Sequence, residues 1–192
     1  MRHILKALFW FASVVVYRIK VNGKENIPKE GPVLLCPNHV HALDSVIILM
    51  HTKRQVHALA KDDLFNNKIL NWLAKIFGIY PIKPESADID AIKTALRIFK
   101  NNEVLMIFPE GTRNGMARGV PLKNGPVTLA IKSGTPIVPI GIKGNFKAFS
   151  KIVVNIGKPR DYSQYKDKLK DKEFISNLTK ELMDEVVVLR DK

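Results

Sequence analysis

Cysteine is scarce in this chain: among its 192 residues there is a single one, Cys36. An intrachain disulfide is therefore impossible, a zinc site built from several cysteines is excluded, and the composition suits a reducing cytosolic compartment. Internal repeats and low-complexity tracts are missing as well. With 46% hydrophobic and 26% charged residues, the chain should form one globular domain with a hydrophobic core rather than a disordered segment.

Acidic residues are outnumbered by basic ones, 18 against 31, which gives a net charge of +13. Such a surplus favours an anionic partner: nucleic acid, an anionic membrane surface or a phosphate-bearing substrate. A nucleic-acid module would interleave aromatic with basic residues, but aromatics are 8% of this chain and cluster in the N-terminal apolar segment and the predicted core. We therefore expect a membrane surface and phosphate groups as partners, and no nucleic acid, although a basic surface can also serve solubility alone.

Long apolar runs are missing too. The uncharged segment Ala7–Tyr17 would span about 17 Å as a helix, against roughly 30 Å for the hydrocarbon core of a bilayer. A transmembrane helix is therefore not expected, and a secretory signal would need a small-residue cleavage site that does not follow. We predict that residues 1–20 form a helix in the membrane interface and that residues 21–192 form the main domain; a buried core helix is the alternative. The apolar contacts would come from Phe9, Trp10 and Phe11, and the lipid phosphates would meet Arg2, Lys6, Arg18 and Lys20.

Strand-like and helix-like segments alternate along the rest of the chain. Short apolar runs near proline or glycine predict strands, and apolar residues at helical spacing predict helices. This alternation predicts an α/β fold: a single domain with a mixed, largely parallel sheet flanked by helices. The predicted strands are 33–36, 55–60, 79–83, 104–108, 137–142 and 152–156, and the predicted helices are 44–50, 65–77, 88–100, 126–132 and 173–189. The helix at 88–100 has an apolar stripe of Ile89, Ile92, Ala95, Leu96 and Phe99.

Two polar loops, 37–44 and 109–125, each follow a predicted buried strand, where the sites of such folds tend to lie. The first contains His39 and Asp44, which can meet if His39 lies in the loop and Asp44 in the first turn of the next helix. A carboxylate that holds one imidazole N–H leaves the other ring nitrogen free as a base, so this pair could activate a hydroxyl group. The alternative is that Asp44 only caps the helix.

Other chemistries at this loop are less well supported. No G-x-S-x-G sequence is present to supply a serine nucleophile, and Cys36 ends a predicted buried strand, where thiols are usually inert. His39, His41 and Asp44 could be metal ligands, but no histidine follows His57 to complete a hydrolase-type set. We therefore expect no metal ion and no resident cofactor.

The second loop offers groups that suit a phosphate monoester. Gly111 lets the backbone approach a ligand, Thr112 offers a hydroxyl group, Arg113 a planar fork of donors and Lys123 a point charge. Glu110 could orient Arg113 or a lipid hydroxyl. The nucleotide-binding sequence G-x-x-x-x-G-K-[ST] is absent. A solvated charged loop without a ligand is the alternative.

Taken together, the two loops resemble the glycerolipid acyltransferases, and in particular the 1-acyl-sn-glycerol-3-phosphate acyltransferases, which have four ordered sequence blocks. His39 and Asp44 match the H-x4-D block, residues 108–113 match the F-P-E-G-T-R block in full, and residues 138–140 match the V-P-[IV] block. The remaining block usually ends in an arginine. Lys83 occupies that place here, and it can pair with phosphate but lacks the bidentate fork.

The resemblance implies a monotopic membrane enzyme on the cytoplasmic face. It would transfer an acyl chain from a thioester, either acyl-CoA or acyl carrier protein, to the sn-2 hydroxyl of 1-acyl-sn-glycerol-3-phosphate and so form phosphatidic acid for phospholipid biosynthesis. His39 would be the general base, oriented by Asp44. The substrate phosphate would be bound by Lys83, Glu110, Gly111, Thr112, Arg113 and Lys123. The alternatives are glycerol-3-phosphate or another lysolipid as acceptor, a thioesterase, and a basic membrane-binding module without catalysis.

Overall fold

The computed structural model describes residues 2–61, 65–82 and 87–192, over which α-helices and β-strands alternate. Beyond the N-terminal segment, the predicted strands and helices are all present there, with bounds that differ by three residues or fewer. The helices are α1 (Arg2–Val16), α2 (Asp44–His51), α3 (Lys68–Phe77), α4 (Ala87–Lys100), α5 (Gly125–Ser133) and α6 (Lys172–Asp191). The strands are β1 (Arg18–Asn22), β2 (Val33–Pro37), β3 (Val56–Lys61), β4 (Ile79–Ile82), β5 (Val104–Met106), β6 (Ile137–Lys143) and β7 (Lys151–Ile156).

The strands form one sheet in the order β1-β7-β6-β2-β5-β3-β4. Neighbouring strands run parallel, except for β6 and β7, which are antiparallel. The strand β2 is buried along its whole length, as expected for a parallel strand that helices cover on both faces. The predicted α/β domain with a mixed, largely parallel sheet is thereby confirmed.

Helices cover both faces of this sheet. Val33 and Leu35 of β2 belong to a hydrophobic cluster that includes Ile47 of α2 and residues of α3. Leu34 and Cys36 belong to a second cluster, with residues of α4, α5 and α6. Because successive residues of a strand point to opposite faces, α2 and α3 cover one face of the sheet and α4, α5 and α6 cover the other.

The N-terminal segment differs from the prediction at its end. The helix α1 ends at Val16, and Arg18–Asn22 forms the strand β1, which pairs in parallel with β7. The predicted interfacial helix, residues 1–20, is therefore too long, because residues 18–22 form the outermost strand of the sheet. Trp10 and Phe11 are 43% and 64% exposed, so this helix does not bury them in the core. The side chains of Arg2, Lys6 and Phe9 lie outside the described part of the structure.

None of the helices that the structure describes combines the length and the apolar character needed to cross a bilayer.

Two edges of the sheet have different roles. The carboxyl ends of β2, β5 and β6 meet at one edge because these strands are parallel neighbours. The loops that follow β2 and β5 both leave from this edge, which is where sites in open α/β sheets lie. At the opposite edge, the Arg54 guanidinium donates hydrogen bonds to the carbonyl groups of Pro28 (2.9 Å), Gly31 (2.6 Å) and Asn102.

Candidate active site

His39 and Asp44 form a hydrogen-bonded pair at the carboxyl end of β2. Asp44 is the first residue of α2 and is fully buried, and its Oδ2 accepts a hydrogen bond from His39 Nδ1 at 2.9 Å. Since a carboxylate only accepts, Nδ1 carries the proton and the neutral ring keeps its basic lone pair on Nε2. The side chain of His39 is 18% exposed, which leaves the ring within reach of a substrate. The predicted contact is confirmed.

The same carboxylate oxygen shapes the loop between β2 and α2. Oδ2 of Asp44 also accepts the backbone N–H groups of Val40 at 2.7 Å and His41 at 2.8 Å. Three donors on one oxygen hold the loop in one conformation and fix the orientation of the His39 ring. His41 is held differently, because its Nδ1 accepts the backbone N–H of Leu43 at 3.2 Å. Over the described residues, no group of three or more His, Cys, Asp and Glu side chains could hold a metal ion.

The buried Asn38 anchors the start of this loop to β6. Its Nδ2 donates to the carbonyl group of Ile142 at 3.0 Å, and its Oδ1 accepts the backbone N–H of Ile142 at 2.6 Å. The Asn38 side chain therefore supplies to β6 the two hydrogen bonds that a further residue of β2 would make. As a result, the backbone that precedes His39 is fixed to the sheet.

Glu110 joins the two loops. It is buried, its Oε1 accepts the backbone N–H of His39 at 2.7 Å, and its Oε2 accepts the backbone N–H of Met116 at 2.9 Å. In addition, the backbone N–H of Asn114 donates to the carbonyl group of His39 at 2.6 Å. Both carboxylate oxygens of Glu110 thus accept backbone N–H groups, and this ties the loop after β2 to the loop after β5.

Phe108 supports the His39 ring from the side of β5. The two rings are stacked, with centroids 4.0 Å apart and planes inclined by 24°. This contact restrains the second torsion of the imidazole, which the bond to Asp44 alone leaves softer. The histidine is therefore held by a carboxylate at Nδ1 and by an aromatic face.

The remaining residues of the second loop present hydroxyl and cationic groups. Gly111 has φ +64°, and a Cβ placed there would come within 3.2 Å of the side-chain carbons of Lys123, so the lysine lies against the glycine. Arg118 donates to Thr112 Oγ1 at 3.0 Å. Arg113 is exposed to solvent, as are Arg118 and Lys123. The loop thereby offers cations and polar donors beside the loop that holds His39.

Two other residues from the sequence analysis have different outcomes. Lys83, predicted to bind phosphate, lies outside the described residues. Cys36 is fully buried, and this burial raises the pKa of its thiol far above the ordinary value, which keeps the thiol neutral. The structure therefore gives no support to acyl-cysteine chemistry at this position.

Sequence reasoning missed several residues that support the site. Phe108 and Asn38 were not predicted to contact His39 or β6, since their partners lie far away in the chain. Arg118 lies in the second loop, but its sequence context does not distinguish it from the other basic residues of the chain. The end of α6 packs against β6, because a Cβ on Gly141 would clash with the backbone of Leu189 and Arg190. The pKa of Arg190 is raised mainly by its hydrogen bond to Asp191.

Comparisons with known proteins agree with this geometry. The sequence model of the acyltransferase family matches residues 18–143. The chain is 30% identical to the 1-acyl-sn-glycerol-3-phosphate acyltransferase of Bacillus subtilis (strain 168) over 181 residues, which cover 91% of this chain and 89% of that protein. It is 31% identical to the enzyme of the same name from Borreliella burgdorferi over 82% of this chain and 63% of that one.

Other relatives are longer than this chain. It covers only 43% of the chloroplastic 1-acyl-sn-glycerol-3-phosphate acyltransferase BAT2 of Brassica napus, to which it is 31% identical. The crystal structure of the 1-acyl-sn-glycerophosphate acyltransferase from Thermotoga maritima superposes with a TM-score of 0.71 and 22% identity, over 96% of this chain and 80% of that one, which shows a shared fold. The chain therefore belongs to the acyltransferase family, among the 1-acyl-sn-glycerol-3-phosphate acyltransferases.

Proposed function

We propose that this protein transfers an acyl chain from a thioester to the sn-2 hydroxyl of 1-acyl-sn-glycerol-3-phosphate, which forms phosphatidic acid. The observation that carries the proposal is the pair of His39 and Asp44, joined through Glu110 to the complete F-P-E-G-T-R sequence. The B. subtilis relative, which this chain matches over nearly its whole length, has the same activity in its name.

In the proposed reaction, Nε2 of His39 takes the proton of the sn-2 hydroxyl as its oxygen attacks the thioester carbonyl carbon. The carbon–sulfur bond then breaks, the thiolate leaves, and the imidazolium returns the proton to the sulfur. Asp44 stabilises the imidazolium that exists between these two proton transfers. The products are the new ester and the free thiol, and no acyl-enzyme is formed.

The phosphate of the acceptor would be bound by the loop that follows β5. Arg113 and Lys123 are exposed cations, and Thr112 adds a hydroxyl group. Lys83 is proposed to contribute a further cation because it occupies the place of the family arginine. Glu110 is proposed to act indirectly, since it holds the backbone of His39. We propose acyl-CoA or acyl carrier protein as the donor, without a resident cofactor or metal ion.

We further propose that the protein binds the cytoplasmic face of a membrane through α1. Leu8, Trp10 and Phe11 of this helix are exposed large apolar residues, and the first 24 residues have no acidic residue. A helix of this kind lies in the interface, where its apolar side chains contact acyl chains and basic residues meet lipid phosphates. The acceptor, itself a membrane lipid, would then be available to the site.

The test is donor consumption by the purified protein in detergent, measured as thiol release with and without 1-acyl-sn-glycerol-3-phosphate. His39→Asn is the sharpest variant, because an asparagine amide can still donate to Asp44 but has no basic nitrogen at the place of Nε2. We expect kcat to fall by about 10²- to 10⁴-fold, the usual contribution of a general base.

His41→Asn is the matched control in the same loop, since its amide oxygen can accept the Leu43 N–H as the imidazole does. We expect it to keep turnover within a few-fold of wild type. Thiol release that does not need the lysolipid would show a thioesterase, and undiminished turnover by His39→Asn would refute the base assignment. Comparison of acyl-CoA with acyl carrier protein as substrate identifies the donor.

A further inference from the structure

The loop between β6 and β7, residues 144–150, lies at the same edge of the sheet as the active site. The strand β6 runs parallel to β2, with Pro37 beside Ile140, so it ends at the edge where the His39 loop begins. The strand β7 starts there in the opposite direction, and Lys151 pairs with Arg18, the first residue of β1. The end of α1, the His39 loop and residues 144–150 therefore share one edge.

This loop exposes an apolar side chain and contains two phenylalanines with an unfavourable backbone conformation. Phe149 is 71% exposed, the highest value among the large hydrophobic side chains described. Phe146 and Phe149 both have positive φ, 55° and 62°, a region that bulky residues rarely adopt. Neither the hydrophobic core nor local backbone preference accounts for a phenylalanine at position 149, so we look for its partner outside the protein.

The loop is bound directly to the end of the proposed membrane helix. The backbone N–H of Phe149 donates to the carbonyl group of Val16 at 2.7 Å, and that of Arg18 donates to the carbonyl group of Ser150 at 3.0 Å. The Tyr17 hydroxyl reaches the carbonyl oxygen of Phe146 at 3.4 Å. A surface that the C-terminal end of α1 contacts is therefore next to Phe149.

The charge of the loop and its flanks is entirely basic. Residues 143–151 include Lys143, Lys147 and Lys151, all exposed, and have no acidic residue. Asp191 lies close enough to Lys143 to interact with its charge, but Asp191 already accepts two hydrogen bonds from Arg190 at 3.0 and 2.9 Å. An exposed aromatic side chain surrounded by lysines complements an anionic lipid surface, whose phosphates lie just above the acyl chains.

The loop also contacts the catalytic loop. The rings of Phe146 and His41 are stacked, with centroids 4.4 Å apart and an angle of 19° between their planes. His41 is two residues from His39, and its backbone N–H is bound to Asp44. A loop seated on the bilayer would hence hold the catalytic pair at a fixed position relative to the lipid surface.

We propose that residues 143–151 form a second membrane contact, in which Phe149 enters the acyl boundary and Lys143, Lys147 and Lys151 bind the phosphates of an anionic bilayer. This inference rests on the membrane association of α1 proposed above. Together the two contacts orient the molecule so that the edge of the sheet with His39 faces the bilayer that contains the acceptor.

The first test places an environment-sensitive fluorophore at Phe149→Cys. The native thiol, Cys36, is buried and un-ionised, so labelling is directed to the new cysteine. Vesicles of equimolar phosphatidylcholine and phosphatidylglycerol should shift the emission to shorter wavelength. The matched control is Leu96→Cys on α4, an exposed apolar position near the opposite edge of the sheet, which should show no shift.

The second test is vesicle co-sedimentation of lysine variants. Replacing Lys143, Lys147 and Lys151 by Gln should weaken partitioning into the anionic vesicles by about tenfold or more, given the usual contribution of each basic residue near such a surface. The control replaces Lys166, Lys168 and Lys170 by Gln, which lowers the net charge equally at exposed sites after β7. Phe149→Asn, which suits a positive φ, should also weaken partitioning without lowering the unfolding temperature.

The outcomes separate this proposal from the others. No emission shift at position 149, or equal losses in the two triple variants, would overturn the second contact while α1 and the proposed reaction stand. If the wild-type protein does not bind these vesicles at all, membrane association through α1 and this loop is refuted together. In that case, lysolipid-dependent thiol release that needs His39 would still support acyl transfer.

Discussion

Asp44 illustrates how a single oxygen atom can serve both structure and chemistry. Its Oδ2 accepts three N–H groups, of which two belong to the backbone and one to His39. Among the described residues, none hydrogen-bonds the other oxygen, Oδ1. In Asp44→Asn, the amide oxygen could therefore keep these three hydrogen bonds, with the NH₂ group where Oδ1 now lies. The substitution removes the negative charge of Asp44 but keeps its accepted hydrogen bonds.

We expect Asp44→Asn to lower kcat by about 10²- to 10⁴-fold, because the imidazolium of His39 loses its negative partner. The free energy of unfolding should fall by about 1–3 kcal/mol, because the three donors keep an acceptor but the new NH₂ group is a buried donor without a partner. Asp44→Ala should cost roughly 2 kcal/mol more because it leaves these donors unpaired in a buried site. Urea unfolding and steady-state thiol release measure the two effects. Wild-type kcat in Asp44→Asn would show that the charge is not needed.

At the residue scale, sequence reasoning identified the chemical groups better than their roles. His39 and Asp44 follow from a loop between a strand and a helix, and the contact between them is observed. Glu110 was assigned to the substrate phosphate, and the structure adds that its two oxygens hold the backbone N–H groups of His39 and Met116. This contact was not predicted because a side chain's partner across 71 residues cannot be identified from local spacing. The phosphate contacts of Glu110, Gly111, Thr112, Arg113 and Lys123 stay predictions.

The next scale is that of the elements, where Glu110 binds the loop after β2 to the loop after β5. In Glu110→Gln, only the amide oxygen can accept, so the N–H of either His39 or Met116 loses its partner. We expect the free energy of unfolding to fall by about 1–3 kcal/mol, the cost of one buried unsatisfied donor. The turnover should fall as well, because the backbone of the base is no longer held.

Limited proteolysis of residues 110–124 and steady-state kinetics would test this prediction. Glu103→Gln is the matched control, since Glu103 lies 3.1 Å from His57, before β5 and away from the site. That variant should keep kcat even if its stability changes. Equal kinetics and equal protease resistance in Glu110→Gln and wild type would show that the two loops do not depend on this carboxylate.

The element α4 shows where periodicity alone misleads. Its apolar stripe predicted one buried face, and Ala95 and Phe99 are indeed buried. Ile89, Ile92 and Leu96, however, are 66%, 41% and 43% exposed. The buried residues Ala95, Ile98 and Phe99 define the face of α4 that packs on the sheet, and Ile89, Ile92 and Leu96 lie to one side of it. Periodicity therefore identified an apolar side of the helix, but the packed face is rotated from the predicted stripe.

For the whole molecule, the part of the fold that the sequence did not predict is β1. The strand has the sequence RIKVN, in which exposed basic residues alternate with partly buried apolar ones. Its basic residues were assigned to lipid contacts because they follow an apolar segment. The pairing of β1 with β7 joins residues more than a hundred positions apart, and long-range pairing of an edge strand leaves only a weak local signal. The central strands were predictable because burial on both faces makes them continuously apolar.

The amino ends of the strands, opposite to the active site, have a stabilising contact of their own. Arg54 lies at the edge opposite to His39, where its guanidinium donates to carbonyl groups of residues 28, 31 and 102. Burial lowers the pKa of Arg54, while the charge of Glu30 opposes this shift. The guanidinium thus joins the loops that precede β2 and β5, at the end of the sheet away from His39.

We expect Arg54→Met to lower the free energy of unfolding by about 1–3 kcal/mol, because it removes charge-assisted hydrogen bonds from carbonyl groups that solvent reaches only in part. Below the unfolding temperature, kcat and KM should equal those of wild type, since the contacts of His39, Asp44 and Glu110 are made at the other edge. Lys53→Met, which removes an exposed neighbouring cation, should change neither stability nor kinetics appreciably. Thermal unfolding and thiol release of both variants measure this. A loss of kcat in Arg54→Met at a temperature where the protein is folded would mean that the sheet transmits disorder from one edge to the other, and that the site depends on the whole domain rather than on the loops after β2 and β5.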